Sequence, residues 1–273
     1  MRYICALTIA GSDSCGGAGV QADMKTMSAL GVYAASAVTA ITVQNTQGVQ
    51  AIQSVAPDIV AGQIRAVIDD LKPRAIKVGM VNDPSTIQAI SDTLRLYSHP
   101  LLVVDPVMVS TSGHMLMQQD ALDVFCSQLM PMATLLTPNI PEAAVLAQTD
   151  IRSLADMDLA AQRILARGCQ AVLIKGGHLE GSSKIDRLYL ADGSIASYEH
   201  ATIDTRNTHG TGCTLSSAIA AFLARGDEMS LAIAHAKDYL SRALMAGKDV
   251  EIGKGHGPVN HFFCPEPLIL DEE

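Results

Sequence analysis

Apolar positions along this chain fall into short runs separated by longer stretches of helical spacing. Residues 4–10, 36–43, 75–78, 101–104, 133–136 and 171–174 read as strands buried on both faces. Helices are expected between them, over about 18–30, closed by Gly31, then 57–71, 118–129, 142–147 and 154–167. Asp83-Pro84-Ser85 caps a further helix reaching to about Tyr97. Residues 49–55 alternate loosely, as a small edge or lid strand would. Asp192-Gly193 lies between two β-like runs and signals a hairpin. Two last helices divide near Gly226, and a tail follows with Gly255-His256-Gly257-Pro258. Strands alternating with helices predict an α/β fold with a doubly wound, mainly parallel sheet. No linker or repeat interrupts residues 1–273, so one domain is expected.

Ligands of such sheets bind beyond the carboxyl ends of the strands. Gln44, Met80, Asp105, Asn139, Glu142 and Lys175 all fall at or just after predicted strand ends. Asp105 and Asn139 also suit turns or caps, Glu142 suits a first helical turn, and Lys175 suits a solvated strand end. Together they place two carboxylates, an amide and a lysine on one edge, a set that suits Mg-nucleotide chemistry.

Two glycine stretches add to that edge. Residues 203–225 run from a polar segment through Gly210-Thr211-Gly212-Cys213 into an apolar helix. A glycine turn feeding a helix N-terminus is a site for an anion, most often phosphate. Cys213 at that helix start is expected to have a lowered pKa and to serve as a base at the mouth of an oxyanion hole. A buried helix with a structural cysteine is the alternative. The other stretch follows the first strand, where Gly17-Ala18-Gly19-Val20-Gln21-Ala22 matches a dinucleotide fingerprint. Its companion, a carboxylate ending the next strand, is missing: that strand ends in Gln44-Asn45-Thr46-Gln47-Gly48. A loop that lets a substrate lie against the first strand is the better reading. Asp23 is either a ligand contact or an exposed helix charge.

Composition narrows the class. Lys plus Arg is 19 against 28 Asp plus Glu, a formal charge of −9. No basic or aromatic-interleaved patch occurs, which argues against nucleic acid. Six scattered cysteines without a Cys-x-x-Cys pair read as reduced thiols of a cytoplasmic protein. No signal peptide or membrane-length apolar run is evident. No Walker Gly-x-x-x-x-Gly-Lys-Ser/Thr motif occurs, so a P-loop enzyme is not expected.

Several motifs carry a resemblance over nearly the whole length. They are Gly11-Ser12-Asp13 with Gly16-Gly17-Ala18-Gly19, Gln44-Asn45-Thr46, Gly79-Met80 and Asp105-Pro106-Val107-Met108. Thr137-Pro138-Asn139-Ile140-Pro141-Glu142, Lys175-Gly176-Gly177-His178 and Asn207-Thr208-His209-Gly210-Thr211-Gly212-Cys213-Thr214 complete the set. With them the chain resembles the ribokinase-type superfamily, and within it the hydroxymethylpyrimidine/phosphomethylpyrimidine kinases of thiamine biosynthesis. The resemblance implies ATP-dependent phosphorylation of a pyrimidine hydroxymethyl group and then of the monophosphate. It casts Cys213 as base and Gly210, Thr211, Gly212 and Cys213 as the anion hole. Asn139 and Glu142 would serve Mg2+ and phosphates, as would Asp105. Lys175 and Lys237 would approach the nucleotide phosphates. Ala18, Gln44, Met80 and Val107 would line the pyrimidine pocket, with Asp23 near it. Most sugar kinases of the superfamily carry Asp where this chain has Cys213. Some pyridoxal kinases share the cysteine, so a pyridoxal kinase is the alternative substrate reading. A nicotinamide oxidoreductase lacks its ribose carboxylate, and a non-catalytic sensor would not need the metal site. The expected partners are a small-molecule pyrimidine and ATP, with a homodimer as the assembly and neither nucleic acid nor membrane.

Overall fold

The first apolar run becomes the middle of a large sheet. In this computed structural model, which describes residues 1–98, 101–109, 116–117, 119–176 and 183–271, the strands begin with β1 (Arg2–Tyr3), β2 (Cys5–Asp13), β3 (Tyr33–Asn45) and β4 (Gly48–Ser54). They continue with β5 (Ala75–Val78), β6 (Leu101–Val104), β7 (Leu135–Leu136) and β8 (Ala171–Ile174), then β9 (Ser183–Leu190), β10 (Ile195–Ala201) and β11 (Leu270–Asp271). The helices are α1 (Gly19–Ala29), α2 (Pro57–Leu71), α3 (Pro84–Leu94), α4 (Gln119–Val124), α5 (Ile140–Ala147), α6 (Leu154–Leu165), α7 (Thr211–Ala224) and α8 (Met229–Gly247). Gln118, the expected start of the fourth helix, and Gly177 and His178 of the lysine motif lie outside the described residues. After α4 the chain widens into a π-helical turn, Phe125–Leu129, before Pro131 removes a donor and ends the helix.

Among the described residues, nine strands pair in the order β10-β9-β8-β7-β6-β5-β2-β3-β4. β3, β2, β5, β6, β7 and β8 run parallel, while β4, β9 and β10 join antiparallel. β1 and β11 form a separate pair. From β2 the chain goes first to β3 and β4 on one side, then crosses back to β5 on the other. That reversal puts a crevice at the carboxyl end of β2, the place where such sheets take ligands.

Side-chain alternation sorts the strand residues into two cores. Leu7, Ile9, Ile76, Val78, Leu102 and Val104 pack with the cluster that includes Ile64, Ile87, Leu146 and Ile164 from the helices of one face. Ala6, Ala75, Val103 and Leu173 pack on the other with Met27, Ile219 and Ile233. α7 is buried throughout from Thr214 to Ala224 because it lies against the sheet, α1 and α8 at once. Its lack of a polar stripe follows from that position. Ser216 and Ser217 return their hydroxyl protons to the carbonyls of Gly212 and Cys213, so their burial leaves no unmet donor.

Candidate active site

β2 ends in Gly11-Ser12-Asp13, and Asp13 organises the turn beyond it. Oδ1 accepts the Cys15 N–H at 2.8 Å, and Oδ2 accepts those of Gly17 and Ala18 at 3.1 and 2.8 Å. His209 Nε2 lies 2.8 Å from Oδ2. Burial pushes the Asp13 carboxyl up, but the His209 bond and the amides outweigh it and hold the group below the ordinary value. Asp13 thus joins the glycine loop after β2 to the loop before α7. The two loops touch: Gly210 has φ +77°, and a Cβ there would run into the Gly17 carbonyl oxygen. The fingerprint-like glycines serve this loop-to-loop contact. Sequence reading quoted Asp13 and His209 within motifs but gave neither a role.

α7 begins at this junction, with Gly210 as its N-cap and no capping side chain. The Thr211 N–H turns back to the Thr208 carbonyl at 3.3 Å. Among the described residues, the amides of Gly212 and Cys213 have no internal acceptor. The open part of the expected anion hole is therefore these two N–H groups and the helix dipole behind them. A Cβ on Gly212 would lie 3.5 Å from Asp105 Oδ2 and 3.6 Å from Lys175 Nζ. That bare glycine faces the charged corner of the site.

Cys213 corrects the sequence expectation. Its thiol is not lowered; burial pushes it up to about 11. Lys77 and the Gly19 amide pull the other way, while Asp23 and Asp105 reinforce the rise. The cavity leaves the residue partly open to solvent, yet protein encloses the sulfur on its other sides. Desolvation of a thiolate exceeds what one helix terminus returns.

The strand ends supply the charges. Asp105, after β6, accepts from Lys175 Nζ at 2.9 Å and Thr137 Oγ1 at 3.1 Å, and Ser216 Oγ lies 3.3 Å from its Oδ2. Burial raises its pKa, but Lys175 and Lys77 bring it below the ordinary carboxylate value. Lys175, after β8, stays cationic: burial opposes the charge, and Asp105 and Glu142 more than restore it. Asn139 and Glu142 form a capping box on α5, with bonds of 2.8 and 2.9 Å in the two directions. Glu142 is buried, and desolvation lifts its carboxyl to about 7 against the opposing pull of Lys175. The local cap reading of this motif is correct as geometry, and it fixes Glu142 beside Asp105 and Lys175.

A cavity of about 930 Å3 runs along these strand ends. Ala18, Gln44, Met80 and Val107 line one end; Lys175, Asp186, His200 and Lys237 line the other. In strand order the first group belongs to β3, β2, β5 and β6, and Lys175, Asp186 and His200 to β8, β9 and β10. The α7 N-terminus lies between. Gln44 is held by its backbone, which exchanges two hydrogen bonds with Ser14 Oγ at 2.8 and 2.9 Å. Lys237, on α8, is ion-paired with Asp186 and lies 3.0 Å from His200 Nδ1. Asp186 also accepts the Gly176 N–H. Neither Asp186 nor His200 stood out in the sequence, because both sit in strands with no glycine or metal spacing beside them.

Asp23 is placed differently from both sequence readings. It neither lines the cavity nor meets solvent. It is fully buried against Lys77 and Thr8. A lysine in the apolar strand 75–78 was the signal that a buried acid would be needed.

The residues fit a hard divalent cation at one corner. Asp105 and Glu142 are both buried, oxygen-bearing and close enough to Lys175 to share its charge, which already stands as a cation between them. Asp13, Cys15 and His209 also hold possible ligand atoms within 4.8 Å of one another. That set brings sulfur and nitrogen, unsuited to Mg2+, and Asp13 is already committed to amides.

Comparison with known proteins agrees with this geometry. Residues 13–260 match the family model described as phosphomethylpyrimidine kinase. A hydroxymethylpyrimidine/phosphomethylpyrimidine kinase of Rhizobium meliloti is 50% identical over 258 residues, covering 94% of this chain and 96% of that one. The crystal structure of a Clostridium difficile phosphomethylpyrimidine kinase superposes with TM-score 0.79 at 44% identity, over 88% of this chain and 99% of that one. A Staphylococcus aureus pyridoxal kinase solved with AMP-PCP and pyridoxal gives TM-score 0.86 at 30% identity, over 96% and 94%.

Proposed function

The chain belongs to the phosphomethylpyrimidine kinase family, and from that premise we propose that it transfers the γ-phosphoryl group of ATP to 4-amino-5-hydroxymethyl-2-methylpyrimidine and then to the monophosphate, in thiamine biosynthesis. The observation that carries this reading is one cavity with an amide-bearing apolar end, a cationic end, and the thiol-tipped start of α7 between them.

The pyrimidine ring lies among Ala18, Met80 and Val107, with its ring nitrogen and amine against Gln44. A side-chain amide offers the complementary donor and acceptor. The hydroxymethyl group points to Cys213. In the transfer, the hydroxyl proton moves to Cys213 Sγ, the oxygen forms a bond to the γ-phosphorus, and the bond to the β–γ bridging oxygen breaks to release ADP. The Gly212 and Cys213 amides and Lys175 face the oxygens of the moving phosphoryl group. Lys237 meets the nucleotide phosphates after leaving Asp186. Asn139 and the edge of α5 border the same phosphates. Asp105 and Glu142 would hold Mg2+, which supplies charge neutralisation to the phosphate oxygens when bound. ATP use is supported by the AMP-PCP complex of the pyridoxal kinase neighbour.

The resting thiol is protonated at neutral pH, so Cys213 acts as a base only in its ionised form, after its own proton has left to solvent through the open side of the cavity. A proton-accepting sulfur that is silent without substrate avoids wasteful oxidation and ATP hydrolysis.

The small-molecule partners are therefore the pyrimidine and ATP. Among the described residues no helix is long and apolar enough to cross a membrane. A homodimer and a cytoplasmic location remain part of the proposal, the first testable by sedimentation. The test of substrate choice is a competition between hydroxymethylpyrimidine and pyridoxal. Leaving the Gln44 amide half-paired costs about 1–3 kcal/mol, roughly one to two orders of magnitude in kcat/KM. The pyrimidine is expected to win by that margin, and Gln44→Leu to shrink the gap mainly by harming the pyrimidine. Preference for pyridoxal by the unaltered protein would reverse the assignment.

A further inference from the structure

A glutamine amide does not choose between a 4-aminopyrimidine and its 4-oxo counterpart unless something fixes which end is which. The amino form presents a ring-nitrogen acceptor beside an amine donor. The oxo form presents a ring N–H beside a carbonyl acceptor. Turning the amide end for end about its last bond serves either pattern, because that torsion is broad and two-fold. The proton count around Gln44 shows what holds it.

Thr42, two residues before Gln44 on β3, and His209, before α7, line the cavity beside the amide, and both are buried. His209 Nε2 lies 2.8 Å from Asp13 Oδ2 and 3.5 Å from the Gln44 amide. Asp13 takes the N–H groups of Cys15, Gly17 and Ala18 and is held below the ordinary carboxylate value, so it is ionised and can only accept. The proton between the two therefore sits on Nε2, whether the imidazole is neutral or cationic. Any group beside that nitrogen meets an N–H, and of the two ends of the Gln44 amide only the oxygen suits it.

On the other side, Thr42 Oγ1 lies 3.1 Å from the amide and 2.9 Å from the Ser12 carbonyl oxygen. The hydroxyl has one proton to give. Given to the nearer carbonyl, which has no proton of its own, it leaves Oγ1 as an acceptor toward the amide. The NH2 end suits that neighbour. Both sides agree on one orientation, nitrogen to Thr42 and oxygen to His209. The amide turned the other way would set Nε2 against an N–H and Oε1 against a hydroxyl whose proton is already given. One N–H and one oxygen lone pair are left for a ligand.

We propose that Thr42 and His209 are positioning residues that lock the Gln44 amide in this one orientation, and that the lock, not the amide alone, confines the site to pyrimidines carrying an amine beside the ring nitrogen. This rests on Gln44 receiving the pyrimidine.

The test uses two substrates, 4-amino-5-hydroxymethyl-2-methylpyrimidine and its 4-oxo analogue, each with ATP and Mg2+. The unaltered protein is expected to favour the amine by roughly ten- to hundred-fold in kcat/KM, the cost of a mispaired buried amide. Thr42→Val keeps the shape and removes the acceptor. It is expected to shrink that preference by about five-fold, the net worth of one hydrogen bond, and Thr42→Ser to keep it. A packing role for Thr42 would lower both substrates alike, so an unchanged ratio in folded Thr42→Val overturns the proposal. Equal use of the two substrates by the unaltered protein overturns it as well. Whether or not the variant folds, the 15N shifts of His209 in the unaltered protein are expected to show Nε2 protonated at about pH 8. A proton on Nδ1 alone would overturn the lock. If Gln44→Leu keeps the full preference for the amine, Gln44 does not receive the ring, and the proposal falls together with that reading.

Discussion

Glu142→Gln separates what Glu142 costs the fold from what it does for the reaction. The carboxyl titrates at about 7 rather than at its ordinary 4.5, chiefly through desolvation. The folded chain therefore keeps the proton in a range where the unfolded chain has released it. Between those two pH values the unfolded state binds fewer protons, so stability falls as pH rises and levels off above the folded pKa. A shift of about 2.5 units corresponds to a loss on the order of 3 kcal/mol. Glutamine removes this term. It can still accept the Asn139 N–H, but its amine would oppose the Met108 N–H that the carboxylate accepts, a mismatch of about 1–3 kcal/mol. Above neutrality the two effects nearly cancel and the proteins should be similar in stability. The pH dependence does not cancel. Urea unfolding of both proteins from about pH 4 to about pH 8 should show the wild-type advantage shrinking by on the order of 3 kcal/mol as pH rises. Parallel curves would refute the buried, proton-holding Glu142. Turnover of the variant should fall most steeply above about pH 7, where the wild-type carboxylate is ionised and a neutral amide cannot replace its anionic oxygen at the Asp105–Glu142 corner.

Gly212→Val should fold normally, because a Cβ there meets only ordinary contacts, yet lose about 100- to 1000-fold in transfer as the side chain fills the phosphoryl path; calorimetry should show pyrimidine binding kept, and normal turnover would move the anion hole elsewhere. Gly210→Ala should instead lose at least ~1–2 kcal/mol of stability from its positive φ, read as a lower midpoint in denaturant, and an unchanged midpoint would contradict the loop-to-loop contact. Cys213→Ala should bind the pyrimidine and lose roughly 100-fold or more in turnover, and Cys213 in the unliganded protein should be alkylated slowly at neutral pH; fast labelling would return to a low-pKa thiol. Asp186→Asn should leave Cys213 untouched and change the KM for ATP more than that for the pyrimidine, because it releases Lys237; an unchanged ATP KM would take Lys237 out of the nucleotide site.

Much of the fold was readable because its strands are short apolar runs bounded by glycine, proline and aspartate. Helix 57–71 and strands 75–78, 101–104 and 171–174 match the structure residue for residue. The strand after α1 is longer than its apolar centre, because β4, which the loose alternation of 49–55 announces, pairs with its polar end. Site residues at strand ends were found by topology alone: Gln44, Asp105, Asn139, Glu142 and Lys175 do line one cavity. Electrostatics was less legible. The expected low pKa of Cys213 considered only the helix N-terminus, while burial and two nearby acids decide the outcome. Asp23 fits an amphipathic helix pattern equally well as a surface charge, and only its contact with Lys77 from a strand 54 residues away fixes it inside.

The central claim is two successive phosphoryl transfers to one pyrimidine in one cavity. Phosphorus NMR of a reaction containing the purified chain, ATP, Mg2+ and the pyrimidine monophosphate tests it directly. A pair of coupled resonances from a new organic diphosphate, growing with ADP and roughly 100-fold or more slower to appear in Cys213→Ala, is the expected result. ADP formed without the diphosphate, or a monophosphate left unchanged while pyridoxal is phosphorylated, would contradict it.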